Sequence, residues 1–321
     1  MPNDPETELT ALREVNGFAR TTDRAYLRVT GSDAARWLNG MVTNAILTLA
    51  PGQGCYNFLL NAQGRIQGDC TIYREISTDP AGFLLATASA QVDAIQQHLD
   101  RFIIMDDVEL TLSYSDESGL LILGKDAPAN LAALGLPALD PLRLAHADTE
   151  HGPVLLHTPA AGSVPRYELR AATATIDGLR RALTIPEISA GALEHLRLLE
   201  ATPLFGQDIR ERDLPQETAQ GQALHFAKGC YLGQEIVERI HSRGQVHRQF
   251  TAFRLTGDLP ATLPAPLESA GKPAGELTSA ALIPLPEGPT LVALGYARRE
   301  ALDTRQPLTY PSGIAVPHPN K

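Results

Sequence analysis

The spacing of apolar positions divides the chain into a long stretch where strands and helices take turns and a shorter one where only strands fit. Tyr26, Leu27 and Val29 mark Ala25 to Thr30 as a strand that runs into Gly31-Ser32-Asp33. Ser32 is placed to cap a short helix over Asp33 to Asn39, with Trp37 and Leu38 turned inward and Gly40 as its stop. A hairpin follows: Cys55 to Leu60, the tight connection Asn61-Ala62-Gln63-Gly64, and a return along Arg65 to Tyr73. The pattern then predicts a strand over Phe83 to Thr87 and a helix over Ser89 to Arg101 carried by Val92, Ile95 and Leu99. Strands over Ile103 to Met105 and Val108 to Tyr114 come next. A second α/β passage has strands at Gly119 to Leu123, Pro153 to His157 and Tyr167 to Leu169, with helices at Ala127 to Leu134 and Ile176 to Leu183. Ser189 opens a further helix with Leu193, Leu196 and Leu199 inward.

After Arg248 the texture changes. Phe250 to Leu255, Gly275 to Ala280, Thr290 to Ala297 and Pro307 to Tyr310 read as short strands around the proline-rich stretch Gly257 to Pro266. The expected organisation is a disordered or extended N-terminus over 1–20, an α/β region over 21–245, a small β module over 246–312 and a tail over 313–321. No G-x-G-x-x-G or phosphate loop follows any of the strands, so nucleotide-fold readings lack their main feature.

A length of 321 residues with 43% hydrophobic and 20% charged residues describes a soluble globular chain of two or three structural units. No apolar run is long enough to span a bilayer, and Met1 to Arg20 lacks the basic-then-apolar order of an export signal, so the cytoplasm is the expected location. Three scattered cysteines, Cys55, Cys70 and Cys230, give neither a disulfide framework nor a C-x-x-C pair. His225, His241 and His247 around Cys230 match no ligand spacing for a metal. A net charge of −10 argues against nucleic-acid binding.

The candidate chemistry lies in Lys228-Gly229-Cys230-Tyr231-Leu232-Gly233-Gln234-Glu235. Two glycines there allow a tight turn and a close approach. A helix starting near Tyr231 would put Cys230 at its positive end, and Lys228, Arg239 and Arg243 nearby would also favour the thiolate. The same cysteine would serve as a small buried residue closing a helix-packing joint. Arg239, Arg243, Arg248 and Arg254 follow without an intervening acid, a basic patch suited to an anionic small molecule or an acidic partner. In the hairpin, Asn57, Asn61, Gln63, Arg65 and Asp69 carry enough amide and charged groups to read a polar heterocycle, although a solvated turn would have a similar composition. The charged loop from Gly206 to Glu217 reads as solvated.

These residues resemble a known family. The octapeptide from Lys228 to Glu235 looks like the K-G-C-Y-x-G-Q-E signature of the YgfZ proteins, relatives of the glycine-cleavage T-protein. Thr30-Gly31-Ser32-Asp33 with Leu38-Asn39-Gly40 resembles the family's first block, and Leu60 to Arg65 with Asp69 its hairpin block. Asp208-Ile209 with Leu214-Pro215-Gln216-Glu217 resembles the loop before the signature, and Gly275 to Ser279 the opening of a terminal barrel.

The resemblance implies an α+β, T-protein-like fold of α/β and β subdomains around a central folate cavity over 21–245, with a small C-terminal β-barrel. It implies a monomer that binds tetrahydrofolate or a one-carbon derivative and supports assembly or repair of iron–sulfur proteins. Cys230, with Lys228, would be its reactive thiol or a ligand of a transient iron–sulfur cluster shared with a carrier or client protein. Asn61, Gln63, Asp69, Glu168, Tyr231, Arg239 and Arg243 would contact folate, Glu168 near the pterin. The alternative is a one-carbon transferase acting on a small amine, with Asp69 as the proton-transfer group. T-proteins carry two successive acids in the hairpin block, where this chain has Gly68-Asp69.

Overall fold

The computed structural model describes residues 16–76, 82–114, 117–244, 246–304 and 306–318. In chain order its first ten strands are β1 (Gly17–Thr21), β2 (Arg24–Thr30), β3 (Gly54–Leu60), β4 (Ile66–Arg74), β5 (Phe83–Ala88), β6 (Glu109–Ser113), β7 (Ser118–Leu123), β8 (Leu144–Thr149), β9 (Gly152–His157) and β10 (Arg166–Ala171). They form two five-stranded sheets, ordered β3-β4-β5-β2-β6 and β1-β7-β10-β9-β8.

Each sheet buries one face under helices. Leu27 and Val29 of β2, Ile72 of β4 and Leu85 of β5 pack on Trp37 and Leu38 of α1 (Ala34–Met41) and on Ile95 and Leu99 of α2 (Val92–Asp100). In the second sheet Leu120, Ile122, Leu156 and Leu169 meet Leu131 of α3 (Ala127–Ala133) and Ile176 and Leu179 of α4 (Thr173–Ala182). Because side chains alternate along a strand, the residues between these apolar positions point to the opposite faces, where the two sheets look at one another. Tyr26, Tyr73, Leu84, Leu144 and Leu155 form a small core there.

Helix α5 (Ala190–Leu199), capped by the Ser189 side chain, wedges Leu196 and Leu198 between the second sheet and the C-terminal module. After α6 (Gln234–Arg243), that module is a closed six-stranded barrel of β11 (Arg248–Gly257), β12 (Ala265–Ser269), β13 (Lys272–Ile283), β14 (Thr290–Arg298), β15 (Leu308–Tyr310) and β16 (Gly313–His318).

Several expectations change. The first helix has no side-chain cap from Ser32, whose backbone N–H and hydroxyl instead both donate to the Asp107 carboxylate at 3.0 and 2.7 Å. Ile103 to Met105 is a loop rather than a strand, with Ile104 83% and Met105 94% exposed. The N-terminal segment contains the edge strand β1. The supposed tail contains β16, which pairs with β11 from Ala252↔His318 to Gly257↔Gly313 and closes the barrel. Residues 1–15 and 319–321 lie outside the described residues.

Candidate functional site

Strand parity puts a polar layer between the two sheets. From the first sheet come Arg24 and Tyr26 of β2 and, along β4, Asp69 and Tyr73. From the second come Glu168 and Arg170 of β10 and His157, which stands opposite Glu168 in the β9–β10 register. Arg24 Nη2 lies 3.3 Å from Glu168 Oε1, and Glu168 Oε2 lies 3.8 Å from His157 Nε2. Burial pushes the Glu168 carboxyl up, but the Arg24 guanidinium, with Arg166 adding to it, outweighs burial and holds the group below the usual glutamate value. The Arg24 guanidinium is raised, chiefly by Glu168 and further by Asp69 among others, so it lies in the field of both acids.

The hydrogen bonds fix the tautomer of His157. Tyr73 has one hydroxyl proton and donates it to the Thr158 carbonyl at 2.8 Å, so at 3.3 Å it can only accept from His157 Nδ1. The proton is therefore on Nδ1, and Nε2 accepts from the Tyr26 hydroxyl at 2.8 Å. Burial drives the imidazole pKa down to about 4 and keeps it neutral. A neutral Nε2 with its lone pair already engaged offers no proton to Glu168, which leaves Glu168 Oε2 free to accept from elsewhere. Asp69, partly buried on β4, accepts from the Tyr56 hydroxyl and from Gln91 Nε2, both at 2.6 Å. Gly68 faces the other way, onto α2. A Cβ there would stand 2.9 Å from Ile95 Cγ1, so this packing leaves no room for a second acid.

A second assembly joins the β3–β4 hairpin to the signature octapeptide. Gly233 has φ +82°, and a Cβ on it would lie 2.5 Å from the Asn61 carbonyl and 3.2 Å from Gly64 Cα. Gly64, at φ +71°, would meet Ile236 Cβ at 2.8 Å. The two motifs thus cross backbone on backbone, which only glycine allows. Asn61 Oδ1 accepts the N–H groups of Gln63 and Arg65, both at 3.0 Å, and ties the hairpin tip. Tyr231 packs with Phe58, Leu60, Ile66 and Val237, and its N–H donates to Gln234 Oε1 at 3.1 Å. Gln63 and Arg239 line a cavity of about 290 Å³ with Arg65, Glu217 and His247.

Three expectations about Cys230 are corrected. Helix α6 starts at Gln234, because the left-handed Gly233 interrupts the helical path, so Cys230 stands in the preceding turn rather than on a helix N-terminus. Lys228 does not turn to the thiol. Its ammonium donates to the Asn39 and Val42 carbonyls at the end of α1, where the helix dipole favours a cation, and sits 4.7 Å from the Tyr231 ring centroid. Burial lowers its pKa to about 8. Cys230 is exposed, whereas Cys55 and Cys70 are buried, so the packing-joint reading of Cys230 also falls. The basic patch is broken up: Arg248 Nη2 pairs with Asp213 at 2.5 Å and Glu217 at 3.1 Å at the base of the barrel. The Arg243 side chain lies outside the described residues.

The residues expected to contact folate therefore fall into two groups. Glu168 and Asp69 share the inter-sheet layer. Asn61, Gln63, Tyr231 and Arg239 belong to the hairpin–signature crossing, and among the described residues no hydrogen bond or ion pair joins the groups. Sequence reasoning missed Arg24, Tyr26, Tyr56, Tyr73, Gln91 and His157. The strand parity that places Glu168 inward also places His157, but only once the pairing of β9 with β10 is known. No group of three or more His, Cys, Asp or Glu side chains gathers among the described residues to hold a metal ion, and no described helix is long and apolar enough to cross a membrane.

The chain is similar to several known proteins. Residues 3–153 match the GCVT N-terminal domain. An iron-sulfur cluster assembly factor IBA57 homolog, mitochondrial, from Pyricularia oryzae is 30% identical over 242 residues, 73% of this chain and 56% of the relative. A second, from Aspergillus oryzae, is 29% identical over 84% of this chain and 62% of its own length, so the chain spans little more than half of these relatives. An aminomethyltransferase of Exiguobacterium sibiricum is 26% identical over 86% of this chain and 77% of the relative. The solved glycine cleavage system aminomethyltransferase T from Bartonella henselae shares the fold, with a TM-score of 0.83 at 19% identity over 98% of this chain and 88% of that one.

Proposed function

We propose that the chain, which matches the GCVT N-terminal domain over residues 3–153 and is similar both to IBA57-type assembly factors and to aminomethyltransferases, is a tetrahydrofolate-binding accessory factor for assembling or repairing iron–sulfur proteins. The observation that carries the reading is Cys230. It is the one exposed thiol of the three, presented on a turn that Lys228, Tyr231, Gly233 and Gln234 hold in place. A single exposed cysteine cannot hold a cluster alone, so the cluster is cargo whose remaining ligands come from a carrier or client protein.

The inter-sheet layer suits the pterin end of folate. A pterin edge offers a pair of N–H donors, and Glu168 is a buried carboxylate with one oxygen lacking a donor. Folate, when bound, would supply a carrier for one-carbon units. Arg24 would keep Glu168 ionised and oriented. Arg239 stands in the other assembly and could meet only a distant part of the ligand.

One observation favours a second reading. Asp69 lies in the same layer, held by Tyr56 and Gln91, where a proton-transfer group of a one-carbon transferase would be useful. Against it, Gly68 occupies the place of the second acid. Complementation of a strain lacking the factor separates the readings. Cys230→Ala should abolish support of iron–sulfur enzymes while Asp69→Asn retains it; the reverse pattern would replace the accessory factor with the transferase. Calorimetric titration with tetrahydrofolate should show binding that Glu168→Gln weakens by about tenfold or more.

A further inference from the structure

A cleft of about 360 Å³ opens where the inter-sheet layer reaches the surface, beside the Arg24 guanidinium. Arg20, Arg24, Arg170 and Glu117 line it, with Tyr26 and Tyr114 as apolar walls. Arg20 and Arg24 already have carboxylate partners in Asp177 and Glu168. Among the described residues, Arg170 and Glu117 make no ion pair, although the Arg170 charge acts on the Glu117 carboxyl. Arg170, 5% exposed, lies over the Tyr26 ring at 5.2 Å and donates from Nη2 to the carbonyls of Tyr114 and Glu117 at 2.9 and 3.1 Å, while its buried Nε has no partner. Among the described residues Glu117 Oε2 is also buried without a hydrogen-bond partner, and burial pushes its carboxyl pKa up against the opposing pull of Arg170. Gly119 keeps the floor open: a Cβ there would stand 2.9 Å from Arg170 Nη1 and 2.0 Å from Thr21 Oγ1.

A donor and an acceptor left unmade on two residues that line one cleft are each unfavourable by about 1–3 kcal/mol, and an occupant that reaches both would relieve them. Charge narrows the occupant. The charges of Arg20, Arg24 and Arg170 are balanced in number by Asp177, Glu168 and Glu117, so a bare anion would add uncompensated charge. A molecule with a carboxylate for Arg170 and an ammonium for Glu117 adds none and satisfies both orphaned atoms.

We propose that this cleft is a binding site for a small zwitterion of the α-amino acid class, its carboxylate on Arg170 and its ammonium on Glu117. The proposal does not rest on the folate reading, since neither Glu168 nor Asp69 lines the cleft.

Isothermal titration of the full chain with L-alanine tests it, with N-acetyl-L-alanine, ethylamine and inorganic phosphate as probes that each lack one of the two charges. L-Alanine should bind with a dissociation constant near 1 mM, as expected of a small ligand held by two charged contacts. Each one-charge probe should bind at least about tenfold more weakly. Glu117→Gln, a change of charge without a change of shape, should weaken L-alanine by a similar factor, with an unchanged circular dichroism spectrum to show that the fold is kept. No heat from L-alanine at about 20 mM overturns the proposal. So does phosphate or N-acetyl-L-alanine binding as tightly as L-alanine, which would make the cleft a plain anion site. Equal affinity in folded Glu117→Gln would do the same.

Discussion

Gly229 and Gly233 sit four residues apart in the signature, both with positive φ, yet the structure gives them different work. At Gly229, φ is +92° and nothing stands within 4 Å of a Cβ position. Alanine there would suffer only the left-handed backbone, about 1–2 kcal/mol. At Gly233, φ is +82°, and the added carbon would fall 2.5 Å from the Asn61 carbonyl oxygen and 3.0 Å from Leu60 Cβ. Neither neighbour is the free end of a flexible side chain, so the hairpin tip or α6 must move. Overpacking of this kind adds about 1–3 kcal/mol to the backbone term. Gly233→Ala should therefore be less stable than Gly229→Ala by about 1–3 kcal/mol, roughly 0.3–1 M in the urea midpoint at an m-value of about 3 kcal/mol/M. Parallel urea titrations followed by far-ultraviolet circular dichroism measure the difference, with Gly229→Ala as internal reference for the strain common to both. Equal midpoints would refute the backbone crossing of hairpin and signature.

Two further outcomes follow from burial. Native protein treated with iodoacetamide at pH 8 should be labelled at Cys230 alone, because Cys55 and Cys70 are buried and burial pushes the Cys55 thiol up to about 11; Lys228→Met should leave the Cys230 rate within about twofold, and a larger fall would show that the lysine does support the thiolate. The unfolded chain takes up a proton on His157 near pH 6.5 and the folded chain only near 4, so the stability associated with this group is full above 6.5 and falls by about 3 kcal/mol as pH drops through that window. His157→Gln should flatten that part of the stability profile between pH 6.5 and 4, and an unchanged slope would mean that the buried imidazole is not the group responsible.

Much of the architecture was legible because local chemistry agrees with it. The hairpin from Cys55 to Tyr73, the helix capped at Ser189 and most of the barrel strands announce themselves by spacing and punctuation. What escaped the sequence is what pairing decides. Nothing along the chain says that β9 lies beside β10 or that both face β2, so the cluster of Arg24, Tyr26, Tyr73 and His157 around Glu168 has no linear signature. Glu168 itself came from family resemblance rather than from pattern. The start of α6 was misplaced because a contact made by Gly233 with Asn61, 172 positions away, sets it. Arg248 looked free for the same reason: its partners Asp213, Glu217 and Glu276 reach it only once the barrel is docked.

The two assemblies, though separate in their contacts, are built on one strand. Gly64 meets the signature at the hairpin tip, β4 begins at Ile66, and Asp69 enters the inter-sheet layer three residues later, about 10 Å along the strand. Within the signature, Lys228 is fixed to the end of α1, Tyr231 to the core under the hairpin, Gly233 to the Asn61 carbonyl and Gln234 to the Tyr231 N–H. Once those four have structural duties, Cys230 is left exposed without one. In the accessory-factor reading, anchors on both sides of the turn, Lys228 before it and Tyr231, Gly233 and Gln234 after it, hold its thiol still at the surface. Its anchor is the strand that carries Asp69, so a change in the polar layer that displaced β4 would reach the turn bearing Cys230 through the glycine crossing.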